Sequence, residues 1–218
     1  MTRRFDLIAF DCDGVLVDTE GLTHQVLVSM LAELGWVLTV EQAMQHFIGR
    51  SVPDEIELIA HHIGRPVPDH FYVDFLRRRD AELERSVQPI AGAVATVHAL
   101  QQAGMPFCVA SGADRAKMHI TLGRCELLPF FAQRMFSGME LPRSKPAPDV
   151  YLQAAATMQV APSRCLVIED TPTGVAAGIA AGMTVWGYAG YVSANRLLDA
   201  GADLVFADMA SVPRRVLT

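Results

Sequence analysis

No apolar run in this sequence approaches the ~20 residues that a membrane-crossing helix needs; stretches such as Cys165 to Ile168 and Val175 to Ala181 are far shorter. Nor is Thr2-Arg3-Arg4 followed by the apolar stretch of a secretory signal. These absences argue against membrane insertion and secretion, and for a cytoplasmic location. Positive charge is also short, with 18 Lys and Arg against 24 Asp and Glu and a net charge of -6. A chain of that sign repels a phosphate backbone, which excludes nucleic acid as the expected partner. The four cysteines, Cys12, Cys108, Cys125 and Cys165, show no paired spacing. They read as reduced core thiols, not as disulfides or a metal cluster. Internal repeats and low-complexity segments are absent as well.

What is present is apolar material, 51% of residues against 19% charged, enough for a packed core and too little charge for disorder. At 218 residues the chain falls between one domain and two. Phe5-Asp6-Leu7-Ile8-Ala9-Phe10 is a buried-strand pattern that breaks at Asp11-Cys12-Asp13-Gly14. Phe107 to Ala110 runs into Ser111-Gly112 in the same way, and Cys165 to Ile168 into Glu169-Asp170. Each is followed by a helical stretch. With Thr184 to Gly187 and Leu204 to Phe206 added, the pattern predicts five main strands in a Rossmann-like, doubly wound parallel α/β sheet. Ligands bind beyond the carboxyl ends of such strands, so the three polar turns should converge.

Residues 18–87 differ. Leu27, Met30, Leu31 and Leu34 share one helix face, closed by Gly35; Ile56, Ile59, Ala60 and Ile63 share another, closed by Gly64. Phe71, Phe75 and Leu83 suggest a third helix. The expected organisation is a discontinuous α/β core, 1–17 and 88–218, interrupted by a small helical cap over 18–87, with two linkers that permit a hinge.

Asp11 and Asp13 at one strand end suit either a hard cation or divided nucleophile and proton-transfer roles. Taken alone, the pair fits a turn in which Asp caps backbone amides equally well. Glu169-Asp170 supplies a second acidic pair. Gathering four carboxylates without a cation is costly, and Mg²⁺ takes one or two carboxylates with water and substrate phosphate, so a metal is the simpler account. Ser111-Gly112 offers a hydroxyl and an approachable amide before a helix, either a phosphate seat or an ordinary cap. Lys145, ahead of Pro146 and Pro148, is a candidate point charge.

In this order, Phe10-Asp11-Cys12-Asp13-Gly14-Val15-Leu16-Val17-Asp18, Ser111, Lys145-Pro146 and Glu169-Asp170-Thr171 with Gly174 and Gly178 resemble the four motifs of the haloacid-dehalogenase-like hydrolase superfamily. The likeness spans nearly the whole chain. The insert after the first motif resembles the helical-cap branch, which contains β-phosphoglucomutase and small sugar-phosphate phosphatases. The resemblance implies that Asp11 is the nucleophile of an aspartyl-phosphate and Asp13 the general acid and base. It implies that Ser111, Gly112 and Lys145 bind phosphate. Asp11, Asp13 through its carbonyl, Asp170 and Glu169 would hold Mg²⁺. Members that cleave carbon–halogen bonds or phosphonates lack the second acid, so Asp13 argues for phosphate esters.

The mutase branch carries a His in the cap where this chain has Thr23, with His24 one residue away, which favours a phosphatase. Gly49-Arg50-Ser51 resembles the substrate-recognition loop of related caps. Arg50 would meet a second anionic group of the substrate or stand as a surface arginine; Glu20 would line the site or belong to a helix's first turn. Of the rest, His61-His62 cannot easily share one ion. Arg77-Arg78-Arg79 reads as a solvated helix face, and Trp36 and Trp186 as packing residues. The expected protein is a Mg²⁺-dependent phosphatase of a small phosphorylated metabolite, a sugar phosphate or sugar-acid phosphate, acting as a monomer or weak homo-oligomer. A phosphosugar mutase and a non-catalytic binding protein are the alternatives.

Overall fold

The structure is a computed structural model and describes residues 3–47 and 56–217. In chain order it contains β1 (Leu7–Phe10), β2 (Val17–Asp18), α1 (Glu20–Glu33), α2 (Val40–Phe47), α3 (Ile56–Ile63), α4 (Phe71–Ser86) and β3 (Gln88–Pro89). Then follow α5 (Ala93–Gln102), β4 (Phe107–Ser111), α6 (Arg115–Arg124), α7 (Leu128–Phe131), β5 (Met135–Ser137) and α8 (Asp149–Thr157). β6 (Cys165–Glu169), α9 (Pro172–Ala180), β7 (Thr184–Tyr188), α10 (Ala194–Asp199), β8 (Leu204–Phe206) and α11 (Val212–Leu217) complete it. The chain divides into two compact units, 1–18 with 88–218 and 19–87.

In the first unit a six-stranded sheet runs β5-β4-β1-β6-β7-β8, every pairing parallel, flanked by helices. From β1 the chain builds outward through β4 and β5, then returns to add β6, β7 and β8 on the other side. That reversal at β1 is the topological switch point where such sheets open a crevice at their carboxyl ends. The central strands are apolar throughout because both sheet faces are covered: Leu7 to Phe10, Phe107 to Ala110 and Cys165 to Ile168 are all buried. All four cysteines are free and buried. The expectation of five strands is corrected to six. Met135–Ser137 joins the edge beside β4, and three residues are too few to show a period in sequence. β2 and β3 pair antiparallel as a short ribbon, with Val17 opposite Pro89.

The second unit contains α1 to α4 among its described residues, one helix more than the sequence pattern gives. Leu27, Met30, Leu31, Trp36, Ala43, Phe47, Ile59, Phe71 and Phe75 form its core. The additional helix, α2, buries only Ala43 and Phe47, an i, i+4 pair too sparse to register as a face. Trp36 stacks on His62 with ring centroids 4.0 Å apart, as a packing residue should. Within the arginine triplet, Arg79 is buried and donates to Asp80 Oδ1 through Nε and Nη2 at 2.9 and 2.7 Å. The reading of all three as solvated is therefore corrected for Arg79, which lies on the face of α4 that also buries Phe75 and Leu83. No described helix is long and apolar enough to cross a membrane.

Candidate active site

Strand register brings three of the sequence's polar turns to one edge. Phe10 pairs with Val109 on β4 and with Ile168 on β6, so Asp11, Ser111 and Glu169-Asp170 follow at neighbouring strand ends. Lys145 joins them. Its Nζ donates to Asp11 Oδ1 at 2.5 Å, to Glu169 Oε1 at 2.6 Å and to the Ala110 carbonyl at 3.1 Å, so its three protons reach β1, β6 and β4. The Tyr151 ring lies 4.8 Å from the same nitrogen, within cation–π range.

Burial alone would lower the Lys145 pKa, yet the Asp11 and Glu169 carboxylates hold it well above the usual lysine value. Burial pushes the Asp11 carboxyl up, to about 7; Lys145 opposes this, and Glu169 and Asp13 add to it. The three groups form an ammonium fixed between two carboxyl groups, with Asp11 buried just past the carboxyl end of β1.

Glu169, a candidate metal ligand from the sequence, is held by a set of hydrogen bonds. Its Oε1 accepts from Lys145 and from the Tyr151 hydroxyl at 2.9 Å. Its Oε2 accepts the peptide N–H groups of Asp170 and Thr171 at 3.0 and 3.1 Å and the Thr171 hydroxyl at 3.0 Å. With five donors on two oxygens, Glu169 holds Lys145 in place and braces the turn that leads into α9. Gly174 makes this possible, because a Cβ there would lie 1.8 Å from Glu169 Oε1.

Asp170 is buried beside the turn that follows β1. Gly14 in that turn has φ +71°, and a Cβ on it would fall 2.1 Å from Asp170 Oδ2. The turn closes through Gly14 N–H to Val17 O at 2.8 Å and Leu16 N–H to Cys12 O at 2.9 Å. Only glycine satisfies both the dihedral and the close approach.

The fit of this edge to a metal follows from its donors. Asp11, Glu169 and Asp170 gather buried carboxyl oxygens at this edge, with the Lys145 ammonium between Asp11 and Glu169, and such hard oxygen donors suit a divalent cation. Among the described residues no group of three or more His, Cys, Asp or Glu side chains forms a metal cluster. Two hard carboxylates, Asp11 and Asp170, are nevertheless enough for Mg²⁺, which keeps water and substrate oxygens as its other ligands.

Ser111 ends β4 fully buried, its Oγ accepting the Ala113 N–H at 3.1 Å. Gly112 follows, and Asp114 caps α6 by accepting the Lys117 N–H at 2.8 Å. Asp13 lies after the β1 end with Oδ1 2.9 Å from Lys117 Nζ. Glu20 opens α1 in the second unit, its Oε2 3.6 Å from His24 Nδ1. His24 is buried, and that nitrogen also lies 2.7 Å from the Glu20 carbonyl in the same helix. Arg50 lies outside the described residues.

Sequence reading missed Lys117 and Tyr151. Each is an ordinary helical position whose partner lies elsewhere in the chain, Asp13 for Lys117 and, 18 residues on, Glu169 for Tyr151. Tyr151 follows Lys145 by six residues, and a buried tyrosine that needs a hydroxyl partner was the available signal.

A family profile described as haloacid dehalogenase-like hydrolase matches residues 5–182. The chain is 32% identical over 188 residues to 6-phosphogluconate phosphatase of Escherichia coli, covering 84% of this chain and 82% of that protein. It is 33% identical over 189 residues to a probable pseudouridine-5'-phosphatase of Drosophila melanogaster, with 84% and 81% covered. A HAD family hydrolase from Deinococcus radiodurans, solved with bound phosphate and sodium, superposes with a TM-score of 0.82 at 36% identity, covering 97% of this chain and 94% of that one. The motif order, the sheet and the clustered strand ends have their explanation here: the chain belongs to the haloacid dehalogenase-like hydrolases.

Proposed function

We propose that this hydrolase is a Mg²⁺-dependent phosphatase of a small phosphorylated metabolite, with sugar phosphates and sugar-acid phosphates as its substrate class, working through an aspartyl-phosphate on Asp11. The observation that carries this reading is the Lys145 hub, which fixes a buried carboxylate next to an ammonium and the Ser111-Gly112 turn at the switch point of the sheet. The similarity to 6-phosphogluconate phosphatase supports the substrate class. Asp11 and Asp170, with the Asp13 carbonyl, would hold the cation. When bound, Mg²⁺ supplies charge neutralisation for attack on a dianionic phosphate.

Lys145 favours the ionised form of Asp11 and balances charge on the phosphoryl oxygens. The Ser111 hydroxyl and the Gly112 amide donate to those oxygens ahead of α6. One Asp11 oxygen attacks phosphorus as the bond to the leaving oxygen breaks, and Asp13 gives its proton to that oxygen. Asp13 then takes a proton from water as the water oxygen attacks phosphorus, which releases inorganic phosphate and restores Asp11. His24, buried against its own helix, supports hydrolysis over a mutase that would need a cap histidine at the site.

Asp11→Asn should lower hydrolysis of 4-nitrophenyl phosphate roughly a thousandfold or more while circular dichroism stays unchanged. A chelator should also stop turnover. Undiminished activity in the variant would overturn the nucleophile, and a chelator-resistant rate would overturn the metal.

A further inference from the structure

We infer that Lys117 is a positioning residue for the proton shuttle, fixing the Asp13 carboxyl group where it meets the leaving oxygen; the inference rests on the proposed role of Asp13. Lys117 is an unusual lysine. Its side chain is 11% exposed, although lysine is among the residues least often buried. It also occupies the first turn of α6, where the positive end of the helix dipole disfavours a cation. Both features are costs that a solvent-facing orientation would avoid. The carboxylate of Asp13, 2.9 Å from Nζ, accounts for both.

The approach is built from two sides. The Asp114 carboxylate accepts the Lys117 peptide N–H, which fixes the start of the turn that carries it. One helical turn later, Thr121 Oγ1 donates to the Lys117 carbonyl at 3.0 Å and lies 4.0 Å from Cys12 Sγ. Lys117 and Thr121 share a face of α6 by i, i+4 spacing, and that face meets consecutive residues Asp13 and Cys12. The register between α6 and the turn after β1 is thus set by two adjacent contacts, only one of which, Lys117 to Asp13, carries charge.

A proton shuttle acts twice, first on the leaving oxygen and then on water, so its carboxylate must return to one place. Asp13 lies in a turn and not in the sheet, and strand register does not fix its side chain. An ammonium held on a capped helix does. Lys117 makes no bond to phosphorus and transfers no proton in this account.

The test separates positioning from bulk structure by the leaving group. A 4-nitrophenolate departs without a proton, whereas an alkoxide needs one, and kcat/KM reports only steps up to formation of the aspartyl-phosphate. Lys117→Met should lower kcat/KM for an alkyl phosphate such as a hexose 6-phosphate by about 10- to 100-fold, but that for 4-nitrophenyl phosphate by less than about threefold. Lys117→Arg should restore most of the loss. Asp13→Asn, measured alongside, should show the same selectivity in stronger form. Equal losses on both substrates in Lys117→Met, or none, with Asp13→Asn still selective, would overturn the inference and leave the phosphatase reading intact. An unselective Asp13→Asn would overturn the assigned role of Asp13 and this inference with it.

Discussion

The two units bury ionic and polar groups in different ways. In the sheet unit, the buried charges are joined over long stretches of chain: Lys145 to Asp11 spans 134 residues and Lys145 to Glu169 spans 24. In the helical unit two buried polar groups bond to near neighbours in sequence, His24 to Glu20 four residues back and Arg79 to Asp80 next to it. A local bond can form in an isolated helix and serves that helix. A bond between distant strand ends exists only in the complete sheet, and it concentrates charge where charge is expensive. The proposed catalytic groups belong to the unit with the long-range bonds, and the other unit is packed mainly around its apolar core.

Three experiments press on this contrast, in decreasing order of effect. Lys145→Met leaves Asp11 and Glu169 buried without their shared ammonium. It should abolish turnover and cost about 3–5 kcal/mol of stability, read from urea unfolding. A variant that is inactive but fully stable would show that the hub is not structural. Leu31→Ala, in the core of the helical unit, should cost about 2–5 kcal/mol. Hydrogen exchange should locate that loss in α1 to α4, while the amides of β1, β4 and β6 keep their protection; equal loss in both units would erase the distinction.

The smallest effect concerns pH. Burial holds the His24 imidazole below its ordinary value, with the Glu20 carbonyl opposing. As pH falls through the ordinary histidine value, ~6.5, the unfolded chain takes up the proton first, so stability is lost from there down to the lowered folded value. The exchange protection of α1 should fall between neutral and mildly acid pH, and His24→Leu should flatten that slope. A slope unchanged in the variant would assign it to another group.

The sheet was largely legible because parallel strands buried on both faces leave continuous apolar runs, and Asp11, Ser111 and Glu169 stand where those runs stop. β5 and α2 escaped for want of length and of apolar positions. The convergence of the polar strand ends was legible, and the partners of their side chains were not. Glu169 beside Asp170 reads as half of a metal pair, and only its five donors, two of them side chains brought in by tertiary packing, give it to Lys145. Lys117 was invisible for the same reason: nothing at position 117 announces Asp13. Arg79 was misread because a triplet of arginines looks uniformly polar, while a helix points each of the three in a different direction.

The place of β1 in the sheet also bears on how the protein is made. It is made before every other strand of this sheet, yet it ends in the middle of it, its neighbours being Phe107–Ser111 and Cys165–Glu169. At ~5–20 residues per second, β6 follows β1 by on the order of ten seconds or more. For that interval the strand Leu7–Phe10 has no partner on one side. A nascent chain that ends before residue 165 therefore leaves the β6-facing edge of this apolar segment unpaired.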